Sequence, residues 1–491
     1  MTGQESAIDG GAESISGTRR FFLFRLCFVA SLGGLLFGFD TAVISGTFSF
    51  VEKQFGLSKL EVGWFASSAL LGCIIGTMIA GALADRFGRK PVLIAAAAFF
   101  FISALYSTIP PDFGVLIPAR IIGGFGVGIA SVLSPLYISE FSPAERRGRL
   151  GALYQLSIVI GILAAYFSNW CLLRFAQSPS PVFAAGGWPH RIFVSEVWRA
   201  MFGAEMIPAA LFFLLLFNVP ESPRWLIKAG RTGKGFHLLS RVSGREKAAA
   251  ETKEIEASLG RETGRLRDLF RPGLRTALLV GCGLSFFGQL TGVNIVIYYG
   301  PTILAEAGFP LGNALQFQVG FGIVNFVFTL IAIWKIDRWG RRPLLLGGMA
   351  AVVAALAAAA ILFPFSPATS LAIAAVLAVY VACIAISICA VIWVLTPEIF
   401  PTRIRARAMS ISAFTNWATN GASALLFPWY VSRMGMASGF WTFAGICLVA
   451  TIFFWRLVPE TKGRSLEEIE AFWLQPGISR QPEKAAAGQG G

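Results

Sequence analysis

The chain has 491 residues, of which 55% are hydrophobic and only 14% charged, with a mean hydropathy of +0.67. Soluble domains carry about 25% charged residues, so the composition excludes an ordinary soluble protein and indicates one embedded in a membrane. The net charge of +14 would suit a polyanion, but its distribution along the chain is that of a topology signal, and no nucleic-acid partner is expected.

Residues 1–20 are polar, rich in Gly and Ser, and read as a disordered N-terminal segment. They lack the basic-then-apolar order of a cleaved signal. Twelve apolar stretches follow, at 22–46, 62–84, 91–109, 114–138, 150–170, 198–219, 276–300, 316–335, 343–364, 370–396, 407–430 and 437–457. Each is close to the roughly 20 residues that a helix needs to cross a bilayer. The expected fold is therefore all-α: twelve transmembrane helices in two six-helix bundles, residues 21–219 and 276–457. A charged linker with short helices (220–275) joins them, and a tail (458–491) follows. Placing both termini and the loops after even-numbered helices on one side leaves only eight of the 41 Lys and Arg elsewhere. Lys53, Lys59, Arg174, Arg191, Arg199 and Arg433 fall on the opposite side, and Arg25 and Arg120 inside segments. The positive-inside rule makes the basic side, with both termini, cytoplasmic, and the expected location is the plasma (inner) membrane.

The first segment holds Asp40, which has no other charge within ten residues on either side. A carboxylate at bilayer depth costs several kcal/mol unless paired, protonated or wet, and is a functional-site hypothesis by default. Its natural partner is Arg120, deep in the fourth segment. A static ion pair holding two helices is the simpler reading, and a proton-binding pair the functional one. Small residues recur at four-residue spacing (Gly34/Gly38, Gly72/Gly76/Ala80, Gly124/Gly128). They suit close helix packing, whether fixed or sliding.

Three motifs recur in the same order in the two halves. Asp85-Arg86-Phe87-Gly88-Arg89-Lys90 returns as Asp337-Arg338-Trp339-Gly340-Arg341-Arg342. Glu140 precedes Arg147 at the interval by which Glu398 precedes Arg405, and Pro220-Glu221-Ser222 returns as Pro459-Glu460-Thr461. Topology requires positive charge, but not Asp, Gly and Glu at repeated spacings. The order indicates a six-plus-six duplication, the plan of transporters that hold substrate at the midplane between repeats. Asp85, Arg86, Arg89, Glu140, Arg147, Glu221, Asp337, Arg341, Glu398, Arg405 and Glu460 are assigned to a latch at the basic end. Its individual surface pairs would be worth about 0–1 kcal/mol.

Amides within apolar segments are the remaining polar groups of interest: Gln155, Gln289, Asn294, Asn325, Asn416 and Asn420, with Trp393 and Trp417. Any one of them can simply hold helices together. As a set they suit a polar ligand whose groups both donate and accept and which also has apolar faces. Asn416 and Asn420 share a helix face. Gln289 and Asn294 lie about 140° apart on an ideal helix, and both reach one ligand only if the seventh helix bends, which Gly288 and Gly292 would permit.

With these residues in view, the chain resembles the sugar porter family of the major facilitator superfamily, from about Arg19 to Phe472. The resemblance rests on the segment around Asp40, both Asp-Arg-aromatic-Gly-Arg loops and Ala119-Arg120-Ile121-Ile122-Gly123-Gly124. It extends to Pro135-Leu136-Tyr137-Ile138-Ser139-Glu140, Pro220-Glu221-Ser222-Pro223-Arg224, Gln289-Leu290-Thr291-Gly292-Val293-Asn294 and Pro459-Glu460-Thr461-Lys462-Gly463. Bacterial proton-coupled pentose and hexose symporters look most similar. The resemblance implies alternating access by a functional monomer, with a monosaccharide and a proton as substrates, lipid as surroundings, and no cofactor or metal. It places sugar contacts on Gln155, Gln289, Asn294, Asn325, Trp393 and Asn416, and coupling on Asp40 and Arg120 with Glu205 as auxiliary. Two positions depart from the family pattern: Gly288 stands where a second glutamine is usual, and Cys389-Ala390 stand where a Gly-Pro pair is usual, so helix 10 is expected to flex less or to bend elsewhere. A facilitative sugar or polyol (inositol) carrier and a sugar sensor remain alternatives. Neither a nucleophile–base pair nor a phosphate loop argues for an enzyme.

Overall fold

The computed structural model describes residues 17–142, 147–178, 187–259, 269–271, 273–401, 404–462, 468–469 and 472–473, the side chains of 17–20, 147–149, 258–259, 337 and 406 excepted. The expectations for the N-terminal segment, for the side chains of Arg147 and Asp337 and for most of the tail fall outside the described residues.

The described residues are helical and include no strand. Twelve long helices follow one another: α1 (Gly17–Val43), α2 (Lys59–Phe87), α3 (Arg89–Thr108), α4 (Phe113–Phe141), α5 (Arg147–Gln177), α6 (Trp198–Phe217), α7 (Leu274–Glu306), α8 (Leu311–Trp339), α9 (Arg341–Leu362), α10 (Ser370–Ile399), α11 (Arg405–Met434) and α12 (Met436–Leu457). Eleven are long and apolar enough to span a membrane. The exception, α11, is long enough but carries Ser410, Ser412, Thr415, Asn416, Thr419, Asn420 and Ser423. Its polarity follows from its place, since part of it lines the central cavity. Between α6 and α7, Pro223–Lys228, Thr232–Ser243 and Arg245–Leu259 form the expected linker helices. His237 is in the second of them, and His190 is in the short helix Trp188–His190. An amphipathic helix, Phe48–Phe55, follows α1 and buries Phe48 and Val51.

Three spanning helices are interrupted, each where a polar residue or glycine sits. α6 breaks at Ala204-Glu205. α7 breaks at Thr291-Gly292, with Gly292 left-handed at φ 87°. α10 breaks at Ser387, upstream of Cys389-Ala390. The bend expected of a Gly-Pro pair is thus present but displaced, and the Ser387 hydroxyl donates to the Cys383 carbonyl at 2.6 Å across it.

The small-residue stripes bring helix backbones into close contact. A Cβ on Gly124 would overlap the Ala69 carbonyl, and one on Gly72 the Ile121 carbonyl, so α2 and α4 meet backbone to backbone. Gly34 and Gly38 meet α5 in the same way, at Tyr154 and Ile158. All four helices belong to one half.

The halves meet at the end away from the termini. Phe48 stacks on Tyr299 at 4.6 Å, and Tyr166 donates to the Ile297 carbonyl at 3.2 Å. Gly63 on α2 lies against the Leu425 carbonyl on α11, where a Cβ would clash. Gly63→Val is therefore expected to disfavour this closed end, and the distance between spin labels at Leu60 and Met434 should widen. An unchanged distance distribution would show that this contact does not hold the halves together.

At the opposite, basic end each half is braced in the same way. Glu221 accepts from the backbone N–H of Arg89 (2.9 Å) and Lys90 (3.2 Å) at the start of α3. Glu460 accepts from Arg341 (3.1 Å) and Arg342 (3.0 Å) at the start of α9. Carboxylates are favoured at helix N-termini. Gly88 (φ 100°) and Gly340 (φ 91°) make the turns, and a side chain at either would strike the capping carboxylate. Arg89 then bonds Glu140 (2.9 Å) and Asp85 (3.2 Å), and Lys228 bonds Asp85 (3.0 Å). In the second half Arg341 bonds Glu398 (3.0 Å), and Glu398 also accepts from Thr461 (2.6 Å). Arg405 donates to the Phe400 carbonyl, and Arg86 is exposed over the Phe87 ring.

These pairs correct the expected latch in two respects. Each joins elements of one half, and the Arg89–Glu140 pair is buried rather than superficial. Removing Arg89 or Glu140 alone would strand the other and cost about 3–5 kcal/mol, whereas the pairs on Asp85 and the Arg341–Glu398 pair are more exposed. Burial pushes the Glu221 carboxyl above its ordinary value, against the backbone donors and Arg89 that favour its anion.

Candidate functional site

All eight residues expected to contact substrate line one cavity of about 140 Å³ between the halves: Gln155, Gln289, Asn294, Asn325, Trp393, Asn416, Trp417 and Asn420. The break at Gly292 turns Asn294 back toward Gln289, and its amide donates to Gln289 Oε1 at 2.5 Å. Gln289 in turn donates to Asn416 Oδ1 at 2.7 Å. One turn along α11, Asn420 donates to the Tyr298 hydroxyl at 3.0 Å. Asn325 accepts from Thr329 at 3.5 Å. Trp417 is buried against Phe37 with ring centroids 5.5 Å apart, and Trp393 is half-exposed. Amides are thus bonded to one another from three chain segments, while aromatic faces border them.

Gly288 also lines the cavity and stays helical. It faces Ile388 and Ile392 of α10, and a Cβ there would sit 3.2 Å from Ile392. Its absent side chain lets Ile392 of α10 approach closely rather than helping α7 to bend. Cys389 lines the cavity as well.

Sequence reasoning missed Gln318 on α8, which is buried and donates to the Val296 and Ile297 carbonyls at 3.2 and 3.3 Å. It also passed over Asn169 on α5, whose amide donates to the Val43 carbonyl at 2.9 Å. Both are amides inside apolar segments, the signal used for the others, and both satisfy backbone near a helix break or end.

Asp40 and Arg120 are both 2% exposed, and Arg120 Nη1 meets Asp40 Oδ1 at 2.5 Å. Arg120 Nη2 reaches the Asp40 carbonyl at 3.4 Å, and the guanidinium lies over the Phe202 ring at 5.1 Å. Glu205, at the break in α6, is 1% exposed, and its Oε1 atom is buried without a partner among the described residues. All three residues expected to serve coupling are therefore buried, with Glu205 near the Asp40–Arg120 pair. Arg199, in the first turn of α6 at the end opposite the basic loops, is buried, bonds Glu196 at 2.5 Å and donates to the Thr108 and Pro110 carbonyls. Against the cost of its partial burial, hydrogen bonds from Arg191, Gln54 and Arg199 hold the Glu196 carboxyl below its ordinary value.

The profile of the family described as "Sugar (and other) transporter" matches residues 26–473. The chain is 40% identical to an arabinose-proton symporter of Bacillus subtilis, over 92% of this chain and 96% of that one. It is 36% identical to a D-xylose-proton symporter of Escherichia coli, again over 92% and 96%. Among solved structures, a partially occluded inward-open conformation of the xylose transporter XylE from E. coli superposes with a TM-score of 0.78 at 34% identity, over 91% of this chain and all of that one. Duplicated halves, a central amide-lined cavity and these matches agree: the chain belongs to the sugar transporter family of the major facilitator superfamily, whose members are membrane carriers and not enzymes.

Proposed function

We propose that the protein is a proton-coupled monosaccharide symporter that works by alternating access, with both termini in the cytoplasm of a bacterial inner membrane and a single chain as the working unit. The observation that carries this reading is the Asp40–Arg120–Glu205 cluster, buried beside the amide-lined cavity. A facilitative carrier has no need of two carboxyls at that depth, where each uncompensated charge costs several kcal/mol.

The coupling logic is electrostatic. A nearby guanidinium favours the carboxylate, and its withdrawal favours the neutral acid. If rocking of the halves changes the Asp40–Arg120 separation, the cluster takes up a proton on one side and releases it on the other. Gln155, Gln289, Asn294, Asn325, Asn416 and Asn420 supply hydroxyl partners, and Trp393 and Trp417 the apolar faces. The arabinose and xylose named for its relatives make pentoses the first candidates. The driving force suffices: a proton crossing about 100 mV yields about 2.3 kcal/mol, and one pH unit adds about 1.4 kcal/mol. Together these concentrate a neutral sugar several hundredfold, since every 1.4 kcal/mol is about tenfold.

The test is the external pH of lightly buffered cells or proteoliposomes on addition of sugar from a panel of xylose, arabinose, glucose, galactose and inositol. Symport predicts alkalinisation with at least one of them. Uptake without alkalinisation would leave a facilitative carrier.

A further inference from the structure

Beside the ion pair lies a second cavity, of about 10 Å³, lined among others by Asp40, Arg120, Cys73, Thr41 and Tyr298. Thr41 and Tyr298 also line the large cavity, so these two side chains form the neck between the spaces. A cavity needs about 10–15 Å³ and two to four polar partners to hold one water. The partners are present: Arg120 Nε is buried without a partner among the described residues, Asp40 offers a carboxylate, and Tyr298 a hydroxyl. Asn420 already donates to the Tyr298 oxygen, which leaves the phenol hydrogen free to point elsewhere. The Asn420 Oδ1 atom is buried and unpartnered among the described residues, on the side of α11 that lines the large cavity.

We infer that the small cavity is a binding site for one water molecule, and that Thr41 and Tyr298 position this water as the proton relay between the large cavity and Asp40. The inference rests on the symport reading and adds to it a route. The water gives one proton to an Asp40 oxygen and receives one from water in the large cavity. One O–H bond breaks and one forms at each end, the net change is one proton moved, and Tyr298 and Arg120 keep their own. The charged and titratable groups facing Asp40 from the packed helices are Arg120 of α4, Glu205 of α6, Cys73 of α2 and Tyr298 of α7. Tyr298 alone joins this set to the large cavity. A sugar hydroxyl donating to Asn420 Oδ1 would strengthen the Asn420–Tyr298 bond, because linked hydrogen bonds polarise one another. Sugar occupancy is thereby communicated to the relay.

The test compares Tyr298→Phe and Thr41→Val with wild type in proteoliposomes. For each, proton-driven sugar accumulation is divided by that variant's own sugar exchange rate in the absence of a gradient. Exchange moves sugar without net proton transfer, so a change confined to sugar binding or packing alters both quantities together. The relay predicts that the ratio falls about tenfold in Tyr298→Phe and at least severalfold in Thr41→Val. A ratio equal to wild type in Tyr298→Phe, or in Thr41→Val where the former does not insert, overturns the relay and leaves symport standing. A wild type that drives no sugar-dependent proton uptake overturns both.

Discussion

Asp40→Asn is expected to abolish proton-driven accumulation while sugar exchange across the membrane continues. The amide keeps the size of the carboxyl and a carbonyl oxygen for Arg120, but it cannot bind or release a proton. The substitution also leaves the Arg120 guanidinium, 2% exposed, without a counter-charge. Breaking a buried pair in this way destabilises by about 3–5 kcal/mol, so melting in detergent should fall as well. The measurement is radiolabelled sugar in vesicles with an imposed pH gradient, set beside counterflow with the gradient collapsed. Full active accumulation by the variant would remove Asp40 from the mechanism.

Gln289→Ala is expected to weaken sugar affinity by ten- to a hundredfold. Gln289 is the link between Asn294 and Asn416, giving one hydrogen bond at 2.7 Å and accepting another at 2.5 Å. Its loss removes a sugar contact and releases both neighbours from their fixed orientations. A polar group left unmatched on desolvation costs about 1–3 kcal/mol, which is the stated range in affinity at about 1.4 kcal/mol per tenfold. Titration calorimetry on purified protein, with melting temperature as the control for folding, measures it. Unchanged affinity would take Gln289 out of the site. The two variants separate the functions: the first spares exchange and the second spares the ion pair.

Much of this arrangement was readable in advance because lipid makes polar atoms costly, so each departure from apolar sequence carries information. Asp40 and Arg120 could be matched because each is isolated in its own segment. The Gly292 break followed from requiring Gln289 and Asn294 to face one ligand. Gln318 and Asn169 carry the same signal and were passed over; Gln318 bonds backbone and lines the cavity as well, because satisfying a helix carbonyl and bordering a ligand carry the same desolvation cost. The strength of the basic-end pairs was misjudged because burial of Arg89 and Glu140 depends on the fold of α4 over α2, which spacing alone does not report. Ser387 as the hinge of α10 was likewise hidden: a serine in an apolar run ordinarily bonds back to its own helix, and here it does so across an interruption.

The polarity of α11 has a consequence for how the protein is made. The translocon admits a segment to lipid according to the summed transfer free energy of its residues. With two asparagines and several hydroxyls, α11 gains little by entering alone. It is held by what it docks against, chiefly α2 at Gly63 and the first part of α7, where Gln289 bonds Asn416. Its lateral release is therefore expected to depend on helices synthesised before it.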